Sequence, residues 1–264
     1  SSELKLVSQV FDTPISWHES LLSITASMGV VGNIAPGENN NRIRHASLAV
    51  RTAKEQSGKH AICFYEKWMS EAFRRNNEIT SELRHAIDND GVLVVYQPQI
   101  DTSTHTIYGY EALARLTSGS YSPGEFIPIA EKSGMIIELS RVITRIVVAQ
   151  QREWLDQGLV PRVVSLNYST VQLNDTQYCS YLRDLLETFH VPASLIKVEI
   201  TESMMLGDRV AAEELVTTLT DMGVSLALDD FGTGFSSFDR LTFDAVGFVK
   251  LDKTFVDSFL AADT

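Results

Sequence analysis

The chain has 264 residues, of which 44% are hydrophobic and 21% charged, a composition typical of a soluble globular protein and unlike that of a disordered one. Its 22 basic and 34 acidic residues give a formal net charge of −12, which argues against a broad surface for duplex nucleic acid, because phosphate backbones attract basic patches. No apolar run approaches the roughly 20 residues of a membrane span, and no basic and apolar leader opens the chain. We therefore expect a cytoplasmic chain, although a longer parent protein could be attached to the inner membrane.

The first part of the chain predicts a strand, a loop, a helix and a second strand. Residues 21–31 are apolar and rich in β-forming side chains, which indicates a buried strand. After a polar loop, helical spacing over 42–60 includes Gly58 as a stop signal, and a short strand follows at 61–65. This part is too small to form a domain alone. A helix with mixed charges over 67–90 is expected to connect it to the remainder.

From residue 91 onward, strands and helices alternate in units of about 30 residues, a pattern that predicts a parallel α/β fold. The first two strands are joined only by residues 101–105, which is too short for a crossover, so this pair should be antiparallel. Strands are predicted at 92–99, 106–115, 162–168, 195–201, 224–230 and 246–252, and helices at 123–133, 136–157, 177–189, 207–222 and 236–241.

Polar side chains stand at the ends of five successive strands. They are Glu111, Asn167, Glu199, Asp229 with Asp230, and Lys250. The carboxyl ends of strands in a parallel barrel meet at one face, and carboxylate and amide oxygens are ligands that suit Mg²⁺ or Mn²⁺. Adjacent Asp229 and Asp230 could bridge two ions that clamp the oxygens of a phosphoryl displacement. Taken singly, Asp230 could cap a helix and Lys250 could serve a salt bridge, but the five successive placements favour a shared site.

The cysteines and histidines suggest no other chemistry. Cys63 and Cys179 lie far apart, match no disulfide framework or metal spacing, and are expected to be buried thiols. None of the six histidines falls at a strand end of the second region.

The strand ends also carry a family signature. The segments that carry it are YEALARL (110–116), SLNYST (165–170), VEITES (198–203), LDDFGTGFSSFDRL (228–241) and VKLDKTFV (249–256). Residues 78–264 resemble the EAL-domain cyclic di-GMP phosphodiesterases. The resemblance implies a TIM-like (β/α) barrel whose first strand is antiparallel. It also implies hydrolysis of cyclic di-GMP to linear pGpG in bacterial second-messenger signalling, with two Mg²⁺ or Mn²⁺ ions and with Ca²⁺ as an inhibitor.

The same resemblance implies a role for individual residues. The implied metal ligands are Glu111, Asn167, Glu199, Asp229 and Asp230. Lys250 would lie near the attacking water. The implied catalytic residues are Lys250, Glu111 and Asp229. The implied substrate contacts are Gln97, Leu113, Arg115, which would hold a phosphate, and Asp252. Glu202 would position the loop that contains FGTGFSS.

Residues 1–66 resemble, more loosely, the C-terminal half of a GGDEF domain, here degenerate or truncated and expected as a partial α+β fragment. The GGDEF motif itself is absent from the sequence, which excludes cyclase activity for this chain. The expected organisation is therefore a GGDEF-like part over 1–66, a connecting helix over 67–90 and an EAL domain over 91–264.

The EAL part departs from the family pattern at Leu116, where tryptophan is usual, and at Phe243, where proline is usual. Two further strands that carry another glutamate and a glutamine would be expected beyond Thr264, so the barrel is expected to be truncated before its last strands. An inactive cyclic di-GMP receptor or scaffold is the alternative function, and a homodimer through the EAL domain is a further expectation.

Overall fold

The computed structural model describes residues 10, 13–18, 20–32, 41–55, 61–232 and 246–262. The chain forms two compact units, residues 1–78 and 79–264. The division falls inside helix α2 (Lys67–Asp88), which occupies the segment expected to be a connecting helix. None of the helices that the structure describes is long and apolar enough to cross a bilayer.

In the described residues of the first unit, two pairs of short strands and one helix precede α2. Its elements are β1 (Ile15–Trp17), β2 (Ser20–Leu22), β3 (Met28–Val30), α1 (Arg42–Glu55) and β4 (Ile62–Phe64). Strands β1 and β2 pair antiparallel, and β3 pairs in parallel with β4. Ala49 and Ala53 of α1 are fully buried in a small cluster with Cys63 of β4.

The prediction of one buried strand over 21–31 is wrong. The structure has β2 and β3 instead, separated by residues 23–27 without regular structure. Leu21 is 74% exposed, so the apolar run does not pass through a core that would hold it in one extended segment. Helix α1 ends at Glu55, and the expected stop at Gly58 lies outside the described residues.

The second unit is an α/β structure built on one sheet. Its strands are β5 (Val92–Asp101), β6 (Thr106–Leu116), β7 (Val163–Tyr168), β8 (Ile196–Thr201), β9 (Ser225–Phe231) and β10 (Phe248–Leu251). Outside residues 233–245, which the structure does not describe, its α-helices after α2 are α3 (Pro123–Ser133), α4 (Ile136–Asp156), α5 (Tyr178–Thr188), α6 (Glu202–Leu206), α7 (Arg209–Asp221) and α8 (Lys253–Ala262).

The strands follow one another in the order β10-β9-β8-β7-β6-β5. Strands β5 and β6 are antiparallel, which confirms the expectation from their short connection, and the other neighbours are parallel. The sequence did not predict α6 or α8, and the helix predicted at 236–241 lies outside the described residues. Of the two free cysteines, Cys63 is buried and Cys179 is only partly buried.

Side-chain alternation gives the sheet two different faces. Val164 and Leu166 of β7 and Val198 of β8 belong to a buried apolar cluster that also contains Leu182 of α5 and Leu219 of α7. The residues between them on the strands point to the opposite face, which we call the inner face. The apolar cluster thus holds the helices on the outside and leaves the inner face free for polar side chains such as Ser165 and Lys197.

The inner face is strongly curved. Four inter-strand steps separate β6 from β10, and in a flat sheet they would place these strands about 19 Å apart, at about 4.8 Å for each step. The Nζ atom of Lys250 on β10 nevertheless lies 3.2 Å from Oε2 of Glu111 on β6. The sheet must therefore curl to bring its strands around a common centre.

A β-bulge in β6 changes the direction of one side chain. Gln99 pairs with Gly109 and Ile100 pairs with Ile107, so Tyr108 is an extra residue in the ladder. Its ring lies 5.4 Å from that of Phe248 on β10, between ring centroids. Gly109 itself lies against β7, because a Cβ atom there would be 2.6 Å from the carbonyl oxygen of Val163.

Replacing Gly109 by alanine should therefore destabilise the sheet. The new methyl group would meet backbone rather than a flexible side chain, so β6 and β7 would have to separate, at a cost of about 2 kcal/mol in the free energy of unfolding. Urea denaturation followed by circular dichroism would measure the change. Gly124→Ala in α3 is the matched control, because nothing lies closer than 4.0 Å to its added Cβ atom. Equal stability of the two variants would contradict the expectation.

Candidate active site

Three carboxylates from three strands surround the ammonium group of Lys250. Its Nζ atom donates to Oε2 of Glu199 at 2.5 Å, to Oδ2 of Asp229 at 3.1 Å and to Oε2 of Glu111 at 3.2 Å. Glu199, Asp229 and Lys250 lie toward the carboxyl ends of their strands on the inner face. Glu111 was expected at a strand end but lies in the middle of β6, which continues to Leu116. The structure thus brings together side chains that are up to 139 positions apart in the sequence.

Asn167 joins the same group from β7. Its Nδ2 atom donates to Oε1 of Glu111 at 3.0 Å, so the amide oxygen is directed away from that carboxylate and keeps its lone pairs for another partner. Glu199 is only 2% exposed, and its Oε1 atom is buried without a hydrogen-bond partner among the described residues. We call Glu111, Asn167, Glu199, Asp229 and Lys250 the upper layer of the inner face.

Burial and charge oppose each other in the upper layer. Burial raises the pKa of the Glu199 carboxyl, Lys250 opposes this shift, and the charge of Glu111 adds to it. Burial by itself would lower the pKa of Lys250, but the hydrogen bond and charge of Glu199, with Glu111 and Asp229, raise it overall. The lysine is therefore held firmly as a cation.

Asp230 follows the upper layer in a left-handed backbone conformation, with φ of 55°. Its backbone N–H donates to Oδ1 of Asp229 at 2.9 Å. Left-handed backbone is uncommon for residues other than glycine, and such residues concentrate at functional sites. Burial, followed by the charges of Asp229 and Asp252, raises the pKa of the Asp230 carboxyl against the opposing effect of Lys250. Asp230 thus adds a further carboxylate beside the upper layer, directly after that of Asp229.

Glu202 lies just beyond Glu199, at the start of α6. It is 2% exposed, and its Oε2 atom accepts a hydrogen bond from the backbone N–H of Gly232 at 3.4 Å. Gly232 has φ of 101°, and a Cβ atom there would lie 2.7 Å from the ring of Phe255 in α8. The contacts fix the backbone directly after Asp229 and Asp230. The rest of the FGTGFSS loop lies outside the described residues.

A cavity of about 380 Å³ opens next to the upper layer. Polar residues at one part of its wall include Asn167, Glu199, Asp229 and Asp230, and Arg115 and Leu113 of β6 also line it. Its remaining wall is mostly apolar, and the polar and apolar parts together suit a ligand with both charged and planar groups. In this structure Nη1 of Arg115 donates to the carbonyl oxygen of Ala114 at 2.8 Å.

The other two expected substrate contacts lie differently. Gln97 is exposed on β5 and is the cross-strand partner of Glu111. Asp252 precedes α8, and its Oδ1 atom accepts a hydrogen bond from the backbone N–H of Thr254 at 2.8 Å, as an N-cap does. Neither residue lines the cavity beside the upper layer.

Sequence reasoning missed a second set of residues beneath the upper layer. They stand two positions earlier on the same strands and therefore share the inner face: Gly109, Ser165, Lys197, Ala227 and Phe248. We call them the lower layer. Lys197 is 3% exposed, with Nζ 3.7 Å from the ring centroid of Phe248 and 4.7 Å from that of Tyr108. Counting back two residues from Glu199 would have found it.

The residues of the site fit a hard divalent cation. Across the described ranges, no three acidic, histidine or cysteine side chains converge tightly enough to ligate one ion, since the ammonium of Lys250 lies among the carboxylates. The same carboxylates nevertheless already surround a positive charge, and Glu199 has a buried oxygen without a partner in the described part of the chain. Carboxylate and amide oxygens are the ligands that Mg²⁺ and Mn²⁺ prefer.

Comparison with known proteins gives a consistent result. The chain is 32% identical over 254 residues to the oxygen sensor protein DosP of Escherichia coli, covering 95% of this chain and 32% of DosP. It is 34% identical over 236 residues to the cyclic di-GMP phosphodiesterase PdeR of the same organism, covering 88% of this chain and 35% of PdeR. The chain thus spans about a third of the length of these curated relatives.

A solved structure of the MucR phosphodiesterase in complex with c-di-GMP superposes with a TM-score of 0.63 at 28% identity, covering 69% of this chain and 75% of that one. Residues 80–264, which contain the whole curved sheet and the upper layer, match the EAL domain. The chain therefore belongs to the EAL domain family.

Proposed function

We propose that this chain hydrolyses cyclic di-GMP to linear pGpG with two divalent ions, Mg²⁺ or Mn²⁺. The observation that carries the proposal is the convergence of three carboxylates from three strands around one positive charge, with an amide on a fourth strand bonded to one of them, beside a cavity that Arg115 also lines. Relatives named as cyclic di-GMP phosphodiesterases and the c-di-GMP complex of MucR support the choice of substrate.

The proposed roles follow from where the residues lie. Glu111, Asn167, Glu199, Asp229 and Asp230 would hold the ions, which when bound supply an activated water and neutralise charge on the phosphate. Lys250 contacts three of these residues and would stabilise negative charge as it develops on the phosphate oxygens. Arg115 would turn from the Ala114 carbonyl to a phosphate, since a guanidinium binds phosphate through two parallel donors.

The supporting residues hold the loop and the remaining substrate contacts. Glu202 would keep the backbone after Asp230 in place through Gly232. Gln97 and Leu113 would contact the dinucleotide from β5 and β6, and Asp252 from the segment before α8. Ca²⁺ would compete for the same oxygens and inhibit turnover while still allowing the dinucleotide to bind.

A cyclic di-GMP receptor or scaffold is the second candidate. It is favoured by the ammonium of Lys250, which lies among the carboxylates that an ion would need. The two candidates differ in one measurement, namely the release of pGpG from cyclic di-GMP in Mg²⁺ or Mn²⁺. Binding without product, at protein concentrations well above the dissociation constant, would exclude the enzyme and leave the receptor.

Three further expectations complete the proposal. Residues 1–66 would be a partial GGDEF-like fragment without cyclase activity, the EAL domain would form a homodimer, and the protein would act in bacterial signalling in the cytoplasm. A longer parent protein could be attached to the inner membrane. Sedimentation analysis would measure the dimer, and incubation with GTP would measure cyclase activity.

Two substitutions in the upper layer should affect catalysis differently. Asp229→Asn should remove metal-dependent turnover and weaken Mn²⁺ binding, because the residue would be a ligand. Lys250→Met should lower kcat by about 100-fold with a smaller change in KM, since the lysine would act on developing charge. Asp184→Asn on the exposed side of α5 is the control and should behave as the unsubstituted protein. Normal turnover by Asp229→Asn would refute the proposed site.

Arg115→Lys should weaken cyclic di-GMP binding about tenfold, because a lysine loses the paired donors of the guanidinium. Binding would be measured in Ca²⁺, where turnover is not expected, with circular dichroism as a check on folding. Arg145→Lys in α4, which pairs with Asp90 on the surface, is the control. An unchanged dissociation constant would remove Arg115 from the substrate site.

Asp230→Asn should stabilise the metal-free protein at pH 7 by about 2 °C in Tm. Because its pKa is raised above the ordinary value of 3.8, the folded state holds the proton more tightly than the unfolded state, and stability declines as the pH rises through the folded pKa. The asparagine avoids this cost and tolerates the left-handed backbone. The difference in Tm between Asp230→Asn and the unsubstituted protein should shrink as the pH falls below 3.8, because the aspartate is then protonated in both the folded and the unfolded state.

The same thermal unfolding experiment, repeated in Mn²⁺, tests the ligand role of Asp230. Mn²⁺ should raise the Tm of the unsubstituted protein more than that of Asp230→Asn. Asp184→Asn should show neither effect. If metal-free Asp230→Asn has a lower Tm than the metal-free unsubstituted protein, or if Mn²⁺ raises the Tm of both proteins equally, these expectations are contradicted.

A further inference from the structure

Lys197 is a second cation on the inner face, and no part of the proposed mechanism uses it. It stands in the lower layer, two residues before Glu199 on β8, and is 3% exposed. Burying a lysine is costly unless its charge is compensated. A charge retained in such a place therefore calls for an explanation.

The surroundings of Lys197 form a space suited to a long cationic side chain. Its partners on the adjoining strands β7 and β9 are Ser165 and Ser225, which are both small. Two aromatic rings complete the space. They belong to Phe248 and to Tyr108, the bulged residue of β6. Aromatic faces stabilise an ammonium group by cation–π attraction, so the site accepts the charge without a carboxylate in contact.

Lys197 makes no ion pair with any residue in the described part of the chain, in contrast to Lys250, which touches three carboxylates. Its charge nevertheless lies beneath Glu199, inside the curved sheet, where interactions between charges are screened less than in water. A positive charge in this position attracts the carboxylates of the upper layer and repels any cation that they bind.

We propose that Lys197 is a positioning residue whose charge lowers the affinity of the upper layer for a divalent cation. It touches neither substrate nor ion and acts through the carboxylates above it. Its charge partly offsets their mutual repulsion when no ion is bound, and it makes a bound ion easier to release. The inference rests on the metal site of the proposed function and adds to it a residue that sets how tightly the ions are held.

The proposal predicts an effect in an unusual direction. Lys197→Met removes the charge and shortens the unbranched side chain by only one atom, so the protein should bind Mn²⁺ about tenfold more tightly. A residue that only maintained the structure would, on substitution, leave Mn²⁺ affinity unchanged or weaken it. The direction of the change therefore separates the two roles.

The measurement is calorimetric titration of Mn²⁺ into metal-free protein without nucleotide, so it needs no catalytic activity. Lys197→Arg keeps the charge and should bind Mn²⁺ as the unsubstituted protein does. Arg183→Met removes an exposed positive charge from α5 and should change the affinity by less than about twofold, because solvent and salt screen it. If Lys197→Met does not fold, Lys197→Gln gives the same test with a polar side chain.

The outcomes are distinguishable. Tighter Mn²⁺ binding by Lys197→Met, with the Mn²⁺ affinities of Lys197→Arg and Arg183→Met close to that of the unsubstituted protein, supports the proposal. Unchanged or weaker binding by the folded Lys197→Met overturns it and leaves the proposed metal site intact. If the unsubstituted protein binds no Mn²⁺, the metal-dependent function fails, and the role of Lys197 fails with it.

Discussion

The contact between Lys250 and three carboxylates is the interaction on which the second unit depends. One ammonium group on β10 reaches side chains of β6, β8 and β9, so the sheet must curl until strands four positions apart face each other. Without a cation at the centre, carboxylates this close would repel one another, and Glu199 would be a buried charge with no compensation. The attraction between Lys250 and the carboxylates therefore stabilises the curled sheet at its inner face and assembles the site there.

The lower layer makes this arrangement possible. Ser165 and Ser225, the small cross-strand partners of Lys197, leave space in the curved interior, and Lys197 fills it beneath Glu199. The result is an interior with two lysines and several carboxylates rather than an apolar filling. Buried charges cost stability, and proteins keep them where function requires them.

Sequence reasoning recovered the sheet well and its surroundings less well. The alternation of strands with helices, the antiparallel first pair and the polar residues on successive strands follow from periodicity, connection length and residue type, all of which are local properties. The strand expected over 21–31 failed because an apolar run does not reveal whether a core exists to cover it. Helix α8 was missed because the segment 249–256 was interpreted as one motif, whereas its first residues end β10 and the residues from Lys253 onward begin the helix.

The amino-acid sequence by itself determined that the second unit is an α/β structure of the EAL family, with Asn167, Glu199, Asp229 and Lys250 near its strand ends and Glu111 on the strand before them. Only the tertiary structure decided which of these side chains touch and which residues lie beneath them. The bulge that turns Tyr108 toward Lys197, and the reach of Lys250 to Glu111, depend on how far the whole sheet curls. That curl is the sum of small twists between neighbouring strands and of packing by the outer helices, so no local segment of sequence specifies it.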